Sequence, residues 1–364
     1  MEPLALERKR ILVIVYGHIA DTIAAIPAVR SLRAAYPRAL IDVLALESAQ
    51  PILGPCPYID KLITWQDFRH KGQPIDKLEK LGVIASLAWS LKRNAYDATL
   101  VFHRSSGAMR KLAALIGSPI RVGSSAGGDH YTHPVAPVTA VESSREENRR
   151  ILEAIGIQDD AGEVELWTQG RDAAWAASFL GNHRAPRVGI HPGSDWSCQQ
   201  WLPERFAEVA RNLQAATGAS VITTGTEGEM ELEAQIVRGM SQAPVRACGQ
   251  TSFGQFVELV RKLDLLISVN SGAAAIARAV GTPAVVLLGL EDPRYTGVSD
   301  GLALTVIQPQ IAAQGGNWCE FGRWGVLSGC NSPMCRGLGG LAGIDPPAVT
   351  SAAIRLLHAG TLAH

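Results

Sequence analysis

Arg10-Ile11-Leu12-Val13-Ile14-Val15-Tyr16-Gly17-His18-Ile19-Ala20-Asp21 decides the fold class. Ile11 to Val15 is an unbroken aliphatic run, as expected of a strand buried on both faces. Tyr16 to Asp21 is a short polar turn carrying a glycine, and Ile23 to Ala35 then reads as a helix that Pro37 stops. The same strand-then-helix order continues outward. Leu40 to Leu46, Lys61 to Thr64 and Ala98 to Phe102 read as strands, and Lys77 to Lys92, Gly107 to Leu115 and Ser143 to Ala154 as helices. Glycines at 156, 162, 170 and 181 and Pro186 then interrupt the pattern, with some helical character around Arg171 to Leu180. It restarts with strands Arg187 to His191, Ala219 to Thr224, Leu265 to Val269 and Ala284 to Leu288. Helices are expected at Glu204 to Thr217, Gly228 to Ser241, Ser252 to Lys262 and Gly272 to Val280. Alternation of this kind predicts an α/β protein of two doubly wound, Rossmann-like domains, residues 1–180 and 181–364, with a central cleft between them as the default ligand site. A last helix at about 346–359 could pack back on the first domain.

Composition narrows the function. The 364 residues are 47% hydrophobic and 19% charged, enough for two cores. Thirty-four basic residues balance 34 acidic ones, which argues against a broad nucleic-acid-binding face. The aliphatic runs fall far short of the roughly 20 residues that span a bilayer. A charged start at Met1 to Arg10 does not read as a signal peptide, so a cytoplasmic protein is expected. Cys319, Cys330 and Cys335 have no paired metal-ligand spacing and no intervening histidine, and read as loop thiols. The stretch Trp318 to Trp324 reads as packing.

Three turns could carry chemistry. Asp21 stands where the first strand hands over to its helix, at the edge where ligands approach such sheets; it reads either as an active carboxylate or as an ordinary helix cap. His18 is a second acid or base, or a hydrogen-bonded loop residue. His191-Pro192-Gly193-Ser194 ends the first strand of the second half and could aim backbone N–H groups at a phosphate. Asn270-Ser271-Gly272-Ala273-Ala274-Ala275 gives the better signal: small residues let a phosphate approach the helix amides, and Ser271 adds a hydroxyl. Tight packing without a ligand is the alternative.

Taken together these stretches resemble the heptosyltransferase family of glycosyltransferases, family nine. Asp21 to Arg33 is similar to its GD-x5-PA-x-R-x-LR signature. Arg121-Val122-Gly123, His191-Pro192-Gly193, Trp201 to Ala207, Gly249 to Phe253, and Asn270-Ser271-Gly272 through Thr282-Pro283 follow in the family's order, with Gly289 and Asp292-Pro293 behind. The resemblance implies a GT-B fold, with ADP-heptose held by the second domain and a lipopolysaccharide inner-core acceptor by the first. It also implies inversion without a metal and no cofactor beyond the nucleotide sugar. Asp21 matches the catalytic aspartate. His191, Gly193, Ser194, Gln199, Thr251, Ser252, Asn270, Ser271, Gly272 and Ala273 fall to the donor, and His18, Arg30, Arg33, Arg104 and Arg110 to the acceptor. A glycolipid acceptor would bring the protein into peripheral contact with the inner face of the inner membrane; no nucleic-acid partner is expected.

The departures are specific. Ala20 replaces the glycine before the aspartate, Gln199 a common lysine, Asn270 a common aspartate and Ala275 a typical histidine, and Arg205 or Arg294 would have to supply the missing positive charge. Two other readings therefore stand beside heptose transfer: a transferase of the same fold using another nucleotide sugar or a small acceptor, and a non-catalytic scaffold.

Overall fold

The computed structural model describes residues 4–66, 69–70, 73–74, 77–102, 107–125, 130–136, 143–158, 162–194, 199–289, 293, 304–309 and 340–361. They form two compact units, 1–167 and 168–364.

The first unit runs β1 (Arg10–Val15), α1 (Ile19–Ala35), β2 (Leu40–Leu46), α2 (Gln50–Leu53), β3 (Lys61–Trp65), a two-residue pair β4 (Arg69–His70) and β5 (Gln73–Pro74), and α3 (Lys77–Lys92). It continues through β6 (Ala98–Phe102), α4 (Gly107–Ile116), β7 (Ile120–Ser124), β8 (His133–Val135) and α5 (Ser144–Glu153). Six of these strands form a parallel sheet in the order β3-β2-β1-β6-β7-β8. β1 lies at its centre, and Ile11 through Val15 are buried, as the unbroken aliphatic run requires. On one face Leu12, Ile14, Leu44 and Val101 pack against Ile84 and Ala88 of α3 and Met109 and Leu112 of α4.

The second unit begins with α6 (Gly170–Leu180), clasped to its later helices: Thr168 Oγ1 donates to Glu258 Oε1 at 2.6 Å, and Asp172 lies directly against Gly254. Then come β9 (Arg187–His191), α7 (Pro203–Thr217), β10 (Ser220–Thr223), α8 (Met230–Arg238), β11 (Val245–Arg246), α9 (Phe253–Arg261), β12 (Leu265–Val269), α10 (Gly272–Ala279), β13 (Ala284–Leu287), β14 (Leu304–Ile307) and α11 (Pro346–Thr361). Its sheet is again parallel, in the order β11-β10-β9-β12-β13-β14. The C-terminal helix α11 packs on α7 and on the central strands of this same unit. Trp201 and Arg205 hold the chain leading into it, Trp201 Nε1 donating to the Ile344 carbonyl at 3.3 Å and Arg205 to those of Ala342 and Ile344.

Counted within each unit, both sheets have the strand order 3-2-1-4-5-6. The direction of winding reverses between the first and fourth strands, and ligands of such sheets bind outside the carboxyl ends at that reversal. The first unit's reversal lies between β1 and β6, the second's between β9 and β12. Among the described residues no helix is long and apolar enough to cross a membrane.

Candidate active site

At the first reversal the chain leaves β1 through Tyr16, Gly17 and His18 and enters α1 at Ile19, so that Asp21 falls in the first helical turn. Its carboxylate accepts from the His18 backbone N–H, which reaches Oδ2 at 3.1 Å, and from Ser144 Oγ, at the start of α5, which reaches Oδ1 at 3.0 Å. Asp21 therefore caps the helix and at the same time stays partly exposed at the sheet edge. Gly17 makes the geometry feasible, because a Cβ there would overlap the Asp21 carboxylate. The glycine that the aspartate needs is four residues before it; Ala20 is an exposed helical residue.

Around the same edge, Tyr16 stacks on Trp65 at the end of β3, with ring centroids 6.0 Å apart. Arg110, in the first turn of α4 beyond β6, donates to Ser125 Oγ beyond β7 at 3.5 Å. His18 is exposed at the N-terminus of α1. Arg30 and Arg33 are placed differently. Arg30 donates to the Glu163 carbonyl at 2.9 Å and pairs with Glu165 at 3.3 Å. Arg33 sits in the last turn of α1, about 18 Å along the helix from Asp21. It donates to the carbonyls of Tyr58, Pro37 and Ala39 and to Asp60 Oδ2. Both guanidiniums thus fasten the unit's own backbone. Arg104, Arg294, Cys319, Cys330, Cys335 and the stretch Trp318 to Trp324 lie outside the described residues.

At the second reversal two turns meet the sheet edge. β9 ends at His191, followed by Pro192, Gly193 and Ser194. Ser194 Oγ donates to Gln199 Oε1 at 2.9 Å and the Ser194 carbonyl accepts from Gln200 Nε2 at 3.3 Å, so the glutamine at the expected lysine position is a buried brace for the turn. β12 ends at Val269, and Ser271 is the N-cap of α10. Its hydroxyl lies 3.1 Å from Ser268 Oγ and makes no capping bond, while the first turn of α10 holds no acidic residue. The first amides of this helix, beside the small residues Gly272 and Ala273, thus have no side-chain cap. Ser252 is used differently. It caps α9, accepting from the Gln255 N–H at 3.3 Å and receiving Gln255 Oε1 on its own N–H at 2.8 Å. Thr251 precedes that cap and is partly buried. Arg205, one candidate for the missing cation, is engaged with the segment before α11.

Sequence reasoning passed over Glu229. It follows β10 in a Thr226-Glu227-Gly228-Glu229 turn, where Oε2 accepts the Thr226 N–H at 2.6 Å and the Thr226 hydroxyl at 2.9 Å. Its carboxylate lies so close to Gly193 that any Cβ there would overlap it. The signal was present as a capping-box pattern, threonine followed three residues later by glutamate at the end of a strand.

His191 Nδ1 lies 3.1 Å from Thr224 Oγ1, and the ring lies against Phe256 with centroids 5.5 Å apart. Burial pushes its pKa below the ordinary 6.5, a shift the Glu229 carboxylate partly opposes. The folded protein keeps this ring neutral while the unfolded chain takes up a proton as pH falls through 6.5. The resulting stability is complete above that pH and is lost as pH falls below it. Between pH 7.5 and 5.5, His191→Gln is accordingly expected to show a smaller drop in Tm than wild type; equal drops would contradict the assignment.

Two parallel Rossmann-like units, each with a polar strand-to-helix turn at its reversal, have the architecture of the GT-B glycosyltransferases. The chain belongs to glycosyltransferase family 9 (heptosyltransferase), whose model matches residues 84–315. It is 27% identical over 289 residues to lipopolysaccharide heptosyltransferase 3 of Escherichia coli K12, covering 75% of this chain and 80% of that one. Its fold is similar to a family 9 glycosyltransferase from Veillonella parvula, with a TM-score of 0.77, 22% identity and coverage of 98% and 99% of the two chains. The E. coli ADP-heptose heptosyltransferase II structure matches with a TM-score of 0.69, 20% identity and coverage of 96% and 99%.

Proposed function

We propose that this enzyme transfers heptose from ADP-heptose to a lipopolysaccharide inner-core acceptor, with inversion at the anomeric carbon and without a metal ion. It would act in the cytoplasm at the inner face of the inner membrane. The observation that carries the reading is what each reversal holds: at one, a carboxylate that accepts from His18 and Ser144, and at the other, a helix N-terminus with no side-chain cap and no acidic residue in its first turn.

In this reading Asp21 takes the proton of the acceptor hydroxyl as its oxygen attacks the anomeric carbon. The bond from that carbon to the diphosphate breaks, and ADP departs with the electron pair. Charge gathering on the leaving phosphates is met by the Ser271 hydroxyl and the amides of Gly272 and Ala273, which are in place before the reaction begins. Glu229 divides the donor between the two turns. A carboxylate against Gly193 repels phosphate and accepts from hydroxyls, so the His191–Ser194 corner suits the ribose diol, a common partner of the acidic residue that follows the second strand of such a sheet. The diphosphate is left to α10. Arg110 and His18, on the Asp21 edge, suit the acceptor, and phosphates on a core saccharide match the guanidinium.

Gln199 favours a second reading, the same chemistry on another nucleotide sugar, because a neutral side chain stands where the resemblance leads one to expect a cation. Calorimetric titration with ADP, UDP and GDP separates the two: tightest binding of ADP supports the first reading, and preference for another base supports the second. Gln199→Lys tests the position itself. Lysine accepts no hydrogen bond, so the Ser194 hydroxyl loses the Gln199 acceptor and an ammonium is enclosed in its place. The unliganded variant should melt a few degrees lower than wild type, and saturating ADP should raise its Tm no more than it raises wild type's, because the corner that Gln199 braces is assigned to the ribose. A larger ADP-induced rise would place residue 199 beside the diphosphate.

A further inference from the structure

Asp21 is held from two directions, and one of them comes from the far end of the unit. The His18 N–H is local, a product of the helix start. Ser144 is 123 residues away in sequence and reaches Asp21 because α5 packs along α1. The packing is anchored one turn further on, where Asn148, itself buried, directs its amide at the Ala24 carbonyl of α1 at 3.5 Å. Ser144 is not needed to start its own helix, since the preceding Ser143 is the N-cap and accepts the Glu146 N–H at 3.4 Å.

We infer that Ser144 is a positioning residue for the transfer reaction, its hydroxyl holding Oδ1 of Asp21 so that the carboxylate keeps one orientation toward the acceptor hydroxyl. The inference rests on the proposed role of Asp21 as base. A carboxylate in the first turn of a helix can rotate about both side-chain torsions. The His18 amide fixes one oxygen, and a second donor on the other oxygen removes the remaining swing about the carboxyl axis. Ser144 acts through the Asp21 carboxylate, so its effect should fall on turnover and leave donor binding alone.

Valine and threonine at position 144 isolate the hydroxyl, because the two side chains have nearly the same shape. With ADP-heptose and a deacylated core acceptor, Ser144→Thr should stay within a few-fold of wild-type kcat. Ser144→Val should fall about tenfold to a hundredfold with KM for the nucleotide sugar within about twofold. In an Asp21→Asn background the valine substitution should cost almost nothing more, since residues that act through one another do not add. Thermal melts of all variants check that they fold, and Ser144→Ala serves if valine does not. Equal kcat for the valine and threonine variants, or a full further loss in the Asp21→Asn background, would overturn the inference. If Asp21→Asn itself turns over like wild type, the reading of Asp21 as base fails and the inference falls with it. A dead Asp21→Asn beside a fully active Ser144→Val defeats the positioning role alone.

Discussion

Asp21→Asn is expected to lower kcat by about 10²- to 10⁴-fold, the range for loss of a placed general base. Asparagine keeps the side chain's shape and can still accept the His18 N–H and the Ser144 hydroxyl through its single oxygen, one at a time. It cannot take up the acceptor proton. Binding of ADP should be unchanged, because the cradle proposed for the nucleotide belongs to the other unit. The measurement is steady-state turnover beside calorimetric ADP affinity. Turnover within a few-fold of wild type would remove Asp21 from the chemistry, and a parallel loss of ADP affinity would assign it to donor binding.

The second large effect is expected at Gly193. A methyl group there would occupy the space of the Glu229 carboxylate, which cannot simply step aside: the Thr226 N–H and hydroxyl hold one of its oxygens. Gly225 also borders this carboxylate, since a Cβ built there would stand 3.0 Å from Glu229 Oε2. Gly193→Ala must therefore either expel the carboxylate or lift the turn, and both disturb the proposed ribose contact. Nucleotide affinity should fall at least about tenfold, the worth of one good hydrogen bond to a charged group. Removing the obstacle in the Gly193→Ala/Glu229→Ala double variant should recover part of the Tm, short of the cap that Glu229 gives Thr226, without restoring affinity. Recovery of affinity would mean that Glu229 constrains the turn and does not touch the nucleotide.

The features that were legible in sequence share a physical basis. β2, β6, β9 and β12 span the residues expected from sequence, because their interiors are buried on both faces and carry little polar alternation to blur them. The turns after β1, β9 and β12 stood out by their small and polar residues, and three of the four strands flanking the two reversals end in them. What was missed is short, peripheral or brought together by the fold. β8 and β11 have three residues and two, too few for a pattern, and β7 includes Arg121, Gly123 and Ser124. The start of α1 at Ile19, four residues before the expected Ile23, follows from Asp21 reaching back to the His18 amide, so a residue that reads as a cap lies inside the first turn. For Arg30 and Arg33 the sequence shows the charge but not the carbonyls and carboxylates that they bind. The contacts of Asp21 with Ser144, and of Gly193 with Glu229, join segments 123 and 36 residues apart. No local pattern encodes them.

With Asp21 as base and the start of α10 as cradle for the diphosphate, transfer should invert the anomeric carbon and need no metal, and a single reaction reads both. ADP-heptose is incubated with the enzyme and a deacylated inner-core acceptor in the presence of a chelator, and the anomeric configuration of the new glycosidic bond is read by NMR. Transfer should persist with the metal removed and give a product whose anomeric configuration is opposite to the donor's. Retention of configuration, a strict metal requirement, or no heptose transfer by an enzyme that binds ADP would contradict it.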